Sequence, residues 1–130
     1  MIAITDTSPL NYLTLLGYAE LLPRLFGKVF APHAVIAELS HPGTPPAVRA
    51  LAASLPAWLE IVDVGSIDQT LALNLGAGER EAITLGMRRP ASLLIIDDYA
   101  GRAAAQARNV PITGTLALLV KAALLGQLDL

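Results

Sequence analysis

The sequence predicts an α/β domain, organised as a three-layer α/β/α sandwich around a central, mainly parallel sheet. Three observations predict this fold class. Short apolar segments alternate along the chain with longer segments of helical periodicity, which is the order of parallel strands joined by helical crossovers. The segment Leu93–Ile96 is apolar at every position, as expected for a strand covered on both faces. The length of 130 residues suits a single domain over 1–130.

The elements of the first half follow from apolar runs and helix-start signals. Residues 1–5 form a short buried strand. Ser8 and Pro9 are expected to be the N-cap and first position of a helix that ends at Gly17. The other expected elements are a short helix over 18–26, a strand over 28–30, a helix over 32–38 and a helix over 46–55.

The second half continues the alternation. Residues 58–64 are a predicted strand, and a helical stretch is expected to start at Ser66. The segment Gly76-Ala77-Gly78 interrupts that stretch before the next helix. The remaining expected elements are a helix over 79–88, a strand over 93–96, an Ala-rich helix over 99–108, a strand over 110–112 and a helix over 116–125.

Composition narrows the class of protein. The chain is 54% hydrophobic, with a mean hydropathy of +0.55, yet no stretch has the ~18 uncharged apolar residues of a membrane span. The absence of cysteine excludes disulfides and thiolate metal sites. The first residues have no basic segment of a signal peptide. We therefore expect a cytoplasmic protein without a membrane anchor, whose surplus apolar surface contacts an oligomeric or other partner.

The net charge of the chain limits how it can bind nucleic acid. The net charge is -2 and the isoelectric point is about 5.5, which argues against binding of nucleic acid by bulk positive charge. A carboxylate cluster loaded with a divalent cation would not repel phosphate, however, because the cation supplies the dominant local charge.

Acidic residues follow two of the predicted strands. Asp6 comes after the first strand and Asp97-Asp98 after the strand over 93–96. A helix cap is the alternative role for Asp6, but Ser8 is better placed for it. Adjacent residues of an extended segment point to opposite sides, so Asp97 is expected to face the site. Asp98 would support it, cap the next helix or pair with Arg102, four residues further along.

Three glutamates are further candidates. Glu79 and Glu81 begin a helix after a Gly-Ala-Gly segment. Their ordinary role is to interact with the helix dipole or to complete a local cap. One of them can instead project toward the strand ends, and Glu79 is the preferred candidate over Glu81. Glu38 lies on a short, otherwise apolar helix, where a solvated face is the ordinary explanation. Clustered carboxylates would form an all-oxygen site for a hard divalent cation.

Hydroxyl and basic side chains near these acids are candidates for substrate contact or support. Thr7 and Ser8 follow Asp6, and Thr113 and Thr115 flank Gly114 after a short strand. These hydroxyls either approach a phosphate or a metal-bound water, or they only cap helices. Arg102 either clamps a phosphate or balances Asp98.

The order of these motifs resembles the PIN-domain family, specifically the VapC-like ribonuclease toxins of toxin–antitoxin systems. The resemblance covers nearly the whole chain. It is carried by the segments Asp6-Thr7-Ser8, the helix with Glu38, Gly78-Glu79-Arg80-Glu81, Leu93–Asp98, Gly101-Arg102 and Thr113-Gly114-Thr115. It implies a PIN-like sandwich whose acids bind Mg²⁺ or Mn²⁺ and cleave RNA. It also implies an antitoxin protein and a second copy of the chain as partners.

The resemblance assigns the site position by position. Asp6 matches the first family acid, Glu38 the second, Glu79 the third and Asp97 the fourth, with Asp98 adjacent. The third acid is usually Asp in the toxins, and Glu81 is an alternative register for it.

The end of the chain departs from the family pattern. Leu128-Asp129-Leu130 stops soon after the last helix, where relatives often continue, and this tail is a candidate for a dimer or antitoxin contact. The rival to a ribonuclease is a catalytically silent PIN-like module that binds a protein. A receiver domain fits less well, because its acid pair follows the first strand.

Overall fold

The central sheet of the computed structural model has five strands, and the structure describes residues 2–128. The strands are β1 (Ile2–Thr5), β2 (Val29–Pro32), β3 (Leu59–Val62), β4 (Ser92–Ile95) and β5 (Ile112–Thr113). They lie in the order β3-β2-β1-β4-β5, and every pairing is parallel. The predicted three-layer fold around a parallel sheet is therefore confirmed.

Helices cover both faces of the sheet. They are α1 (Thr7–Leu16), α2 (Leu21–Phe26), α3 (His33–Leu39), α4 (Pro46–Ala53), α5 (Ala77–Arg88), α6 (Tyr99–Ala107) and α7 (Thr115–Leu124). Ala3 and Ile95 join the core under α1 to α4 and α7. Ile4, Leu94 and Ile96 point the other way, into the core under α5 and α6. The alternation of side chains along each strand thus supplies both cores.

The strand order reverses between β1 and β4. The chain proceeds from β1 outward to β2 and β3, and then returns to β4 on the opposite side of β1. Thr5 pairs in register with Ile95, and the Asp6 amide donates a hydrogen bond of 2.9 Å to the Ile95 carbonyl. Open parallel sheets bind ligands at such a switch point, outside the carboxyl ends of the strands. The residues that follow β1 and β4 therefore meet where a ligand site is expected.

Two local predictions are wrong. Helix α1 begins at Thr7 with Asp6 at the N-cap position, so Ser8 is not the cap, and the Asp6 side chain makes no cap hydrogen bond. The expected helix from Ser66 does not form, since the segment before α5 is an irregular loop. Gly65, directly before this segment, has a positive φ of 73°. The Arg88 guanidinium also binds the Val64 and Ser66 carbonyls, each at 2.6 Å.

The other elements agree with the sequence to within a few residues. The last helix begins at Thr115 and ends at Leu124. Residues 129–130 lie outside the described part of the chain, and so does most of the tail expected to contact a partner. Within residues 2–128, no helix is both long and apolar enough to cross a bilayer.

Candidate metal centre

Asp6 is the buried acid at the centre of the site. Its side chain is 3% exposed, and its Oδ1 atom has no hydrogen-bond partner in the described part of the protein. Burial raises the pKa of Asp6 to about 6; the Thr7 amide partly offsets this, and the charges of Glu38, Asp98 and Asp97 raise it further. The ionised form is therefore costly without a cation.

Glu79 lies in the first turn of α5 and faces the same acids. Its Oε1 accepts a long hydrogen bond of 3.4 Å from the Gly76 amide, while its buried Oε2 has no partner within residues 2–128. Burial is the largest cause that raises the pKa of Glu79 to about 7, followed by the neighbouring Asp98 carboxyl and by the charge of Asp6. Glu79 and Asp98 are therefore close neighbours in the site.

Glu38 links three elements at the rim of the site. The Thr7 hydroxyl donates to Glu38 Oε2, and the Gly78 amide donates to Glu38 Oε1 at 3.0 Å. These bonds connect α3 to the starts of α1 and α5. An exposed carboxylate on a short helix is thereby held in one direction, toward Asp6.

The two consecutive aspartates have different partners. Asp97 accepts hydrogen bonds from the Thr115 amide at 2.8 Å and from the Thr115 hydroxyl at 2.6 Å, so it caps α7. Asp98 caps α6 by accepting from the Gly101 amide at 2.9 Å. The cap expected for Asp98 is present, but the charge of Asp98, rather than that of Asp97, acts on Glu79.

The geometry agrees with what comparison to known proteins finds. The family model described as "DUF3368: PIN domain" matches residues 2–130. The chain belongs to this family of PIN domains. PIN domains are commonly metal-dependent nucleases and generally use divalent metal ions.

A solved structure shows the same fold. It is a PilT N-terminus domain protein from the hyperthermophilic archaeon Sulfolobus solfataricus P2, with a TM-score of 0.70 and 18% identity. The similarity covers 94% of this chain and 93% of that one. A search of curated proteins finds no significant match.

The remaining sequence candidates of this PIN domain bond to backbone groups rather than to the acids. Glu81 accepts a hydrogen bond of 3.1 Å from the Ala34 amide and so binds the start of α3 instead. The expected pair of Asp98 with Arg102 does not form, because Arg102 donates to the Ile96 carbonyl at 2.8 Å. Within residues 2–128 the ion pair that forms is Lys28–Glu60, at 3.5 Å. Thr113 pairs in register with Ile95 on β4.

Three glycines let the acids approach the helix starts. A Cβ on Gly101 would overlap Glu79 Oε2 and lie 2.6 Å from Ile96 Cδ1, and a Cβ on Gly78 would lie 2.9 Å from Glu38 Oε1. A Cβ on Gly114 would lie 2.8 Å from Asp97 Oδ1. The sequence analysis did not assign these contacts. A signal exists for two of them, since Gly78 directly precedes Glu79 and Gly101 follows Asp98 by three residues, each at the start of a helix.

The donor set fits a hard divalent cation. Five carboxylates converge, and two of them have a buried oxygen without a donor in the described residues. Within residues 2–128, however, no group of three acidic or histidine side chains is arranged to hold an ion as it stands. Glu38, Asp97 and Asp98 accept hydrogen bonds from neighbouring amide or hydroxyl groups. Carboxylate oxygens are the ligands of Mg²⁺ and Mn²⁺, so the chemistry of the residues present fits either ion.

Proposed function

We propose that this PIN domain is a Mg²⁺- or Mn²⁺-dependent endoribonuclease that hydrolyses RNA phosphodiester bonds. One observation carries the proposal: the buried Asp6 carboxylate lies among four other acids at the β1–β4 switch point, and its Oδ1 has no hydrogen-bond partner among residues 2–128. Such a group is expensive in an ordinary protein core, where a buried charge is paired. It is expected in a nuclease that binds a cation, and the family supports that reaction class.

We assign ion binding to Asp6, Glu38, Glu79 and Asp97, with Asp98 beside Glu79. The hydrogen bonds from Thr7 and Thr115 orient Glu38 and Asp97. A carboxylate oxygen that accepts one hydrogen bond keeps a second lone pair for coordination. The two threonines would therefore be orienting partners of the ligands, a role that tunes metal affinity in other proteins.

Different residues of the site would have different roles in the hydrolysis reaction. When bound, the divalent ion supplies a water of lowered pKa and neutralises charge on the scissile phosphate. The carboxylates orient that water and the substrate. Glu79 Oε2 is the atom to which we assign proton acceptance from that water, because it is buried among the acids and no group within residues 2–128 donates to it.

Cleavage of RNA by the purified protein tests this proposal. Total cellular RNA and a single-stranded DNA are incubated with the protein in Mg²⁺, in Mn²⁺ or in EDTA, and new RNA ends are mapped. We expect cleavage of RNA at defined positions with either metal and none in EDTA. RNA that stays intact with both metals would contradict the proposal and favour the catalytically silent protein-binding module.

We further propose that the nuclease is the toxin of a toxin–antitoxin pair and that it forms a homodimer. An apolar cavity of about 560 Å³ supports a protein partner; Tyr12, Leu15 and Leu16 line it, and it adjoins Asp97. An apolar antitoxin segment bound there would cover Asp97. The surplus of exposed apolar side chains supports the homodimer, which sedimentation equilibrium measures.

Induced expression in a bacterial host tests the toxin role. We expect wild-type protein to arrest growth and the Asp6→Asn variant to permit it at equal protein level. Unimpaired growth with an active wild-type enzyme would contradict the toxin role and leave the ribonuclease proposal intact.

A further inference from the structure

A second cavity lies on the other side of the start of α7 and shares Asp97 with the acid site. Its volume is about 630 Å³. Arg102 and Lys121 supply its two cationic groups. Its apolar lining includes Leu116, Val120 and Leu124, which are 75%, 51% and 83% exposed. Pockets of this size with a few placed polar groups are typical binding sites.

Arg102 is fixed beside the acid site. Its Nη1 atom donates to the Ile96 carbonyl at 2.8 Å. Both Arg102 Nη1 and Asp97 Oδ1 lie 2.8 Å from the place that a Cβ on Gly114 would take, so the two atoms are at most ~6 Å apart. The guanidinium is thus anchored through a backbone oxygen rather than neutralised by an acid, since neither Arg102 nor Lys121 forms an ion pair with another residue among 2–128. Its other donors remain available to a ligand.

The charge of this cavity is unusual for the molecule. The chain carries a net charge of -2, and the neighbouring site gathers five carboxylates. The cavity lining holds two cations, Arg102 and Lys121, against the single carboxylate of Asp97, and neither cation forms an ion pair among residues 2–128. This balance favours an anionic ligand that extends from the acid site. The planar donors of arginine match a phosphate group, and a lysine adds a second positive charge.

We propose that this cavity binds single-stranded RNA, with Arg102 and Lys121 on the phosphodiester next to the scissile one. The ribose and base lie against Leu116, Val120 and Leu124. This inference rests on the proposed ribonuclease function. A subsite of this kind would let a protein with little positive charge bind its substrate through two local cationic groups. Arg102 would then be a residue that positions the substrate. Apolar contact without directed hydrogen bonds would make this subsite tolerant of base identity.

Salt dependence of RNA binding tests the subsite. Fluorescence anisotropy follows a labelled single-stranded oligoribonucleotide with the Asp6→Asn protein, which is expected to leave the strand uncut. Arg102→Gln and Lys121→Gln are added singly to that protein. Each is expected to weaken binding on the order of fivefold to tenfold, and to reduce the slope of log K against log salt concentration by about 0.7, the value for one lost phosphate contact on a single strand.

Arg24→Gln is the matched control. Arg24 is exposed on α2 and lines a cavity with Gly17 and Gln127, at the ends of α1 and α7 that are remote from the acids. Its loss removes the same charge and should leave affinity and salt slope unchanged. Arg102→Lys keeps the positive charge and should recover part of the slope. Lys121 is exposed, so its variant remains a test if Arg102→Gln fails to fold.

The outcomes separate this subsite from the parent proposal. If wild-type protein cleaves RNA but both variants match Arg24→Gln in slope and affinity, the subsite is wrong and the ribonuclease stands. That result would favour an acidic segment of a protein partner as the ligand of this cavity. If wild-type protein neither cleaves nor binds RNA, both proposals fall.

Discussion

Replacement of Asp6 by asparagine is expected to reduce metal-dependent RNA cleavage by at least about 100-fold. Asparagine keeps the size of the side chain but removes the charge at the centre of the acid cluster. Changes to residues that only support metal ligands cost about 10- to 100-fold, so loss of a proposed ligand should cost at least the upper value. Initial rates of cleavage of a defined RNA, with saturating Mg²⁺ or Mn²⁺, measure the effect.

Asp63→Asn is the control for that variant. Asp63 also follows a strand, since it comes directly after β3, but it is exposed and β3 lies two strands away from β1. Its side chain accepts a hydrogen bond of 2.9 Å from the Gly65 amide, which an asparagine oxygen can also accept. Its rate should stay within about twofold of wild type. Equal rates for Asp6→Asn and Asp63→Asn would remove Asp6 from the site.

Metal-free protein is expected to lose stability as the pH rises from about 4 to about 8. The pKa of Asp6 is raised from 3.8 to about 6, so the folded state holds a proton that the unfolded chain has released. Stability therefore falls with pH in this interval. The Asp6 shift alone corresponds to roughly 3 kcal/mol at one pKa unit per 1.36 kcal/mol. Glu79, with a pKa of about 7, acts in the same direction and extends the loss above neutral pH.

Thermal unfolding in EDTA, followed by circular dichroism across this pH range, measures the effect. Asp68 has its pKa lowered, mainly by its bonds with Thr70, so its effect lies below this range and has the opposite sign. Asp6→Asn should flatten the pH dependence and stabilise the metal-free protein near pH 7. A melting temperature that rises from pH 5 to pH 8 in EDTA would contradict the electrostatic description of the site.

Saturating divalent metal should reverse the loss at pH 7.5. Binding at a concentration 100-fold above Kd adds about 2.7 kcal/mol, which is about 10 °C in melting temperature for a domain of this size. The increase should be absent in Asp6→Asn. A melting temperature that Mg²⁺ and Mn²⁺ both leave unchanged in wild type would count against metal binding.

The fold was predictable because its signals are local and repeated. Apolar strands and helix-start residues recur along the chain, and their alternation specifies a parallel sheet. The predicted helix from Ser66 was wrong because the irregular segment is held by Arg88, more than twenty residues further along. Such a bond has no signature in the sequence around Ser66. The cap at Ser8 was wrong because the first turn of α1 starts directly where β1 ends.

The sequence singled out the acids that the structure brings close together, but it did not give their hydrogen-bond partners. Asp6, Asp97 and Asp98 were recognisable because they follow buried strands, while Glu38 was selected mainly through family resemblance. The closeness of Gly101 to Glu79 depends on the packing of α6 against α5. The position of Lys121 beside Arg102 likewise depends on how α7 packs near the start of α6.

The sequence by itself determined the parallel α/β sandwich and the resemblance to PIN domains, and it singled out five acids as candidate site residues. Periodicity and strand-end position are properties of neighbouring residues, so they can be read without coordinates. Only the tertiary structure decided that Asp97 is tied to Thr115, that Asp98 lies beside Glu79, and that Glu81 binds the start of α3. These contacts depend on which helix start lies within hydrogen-bond distance of each carboxylate. The packing of the helices on the sheet sets the distance between them.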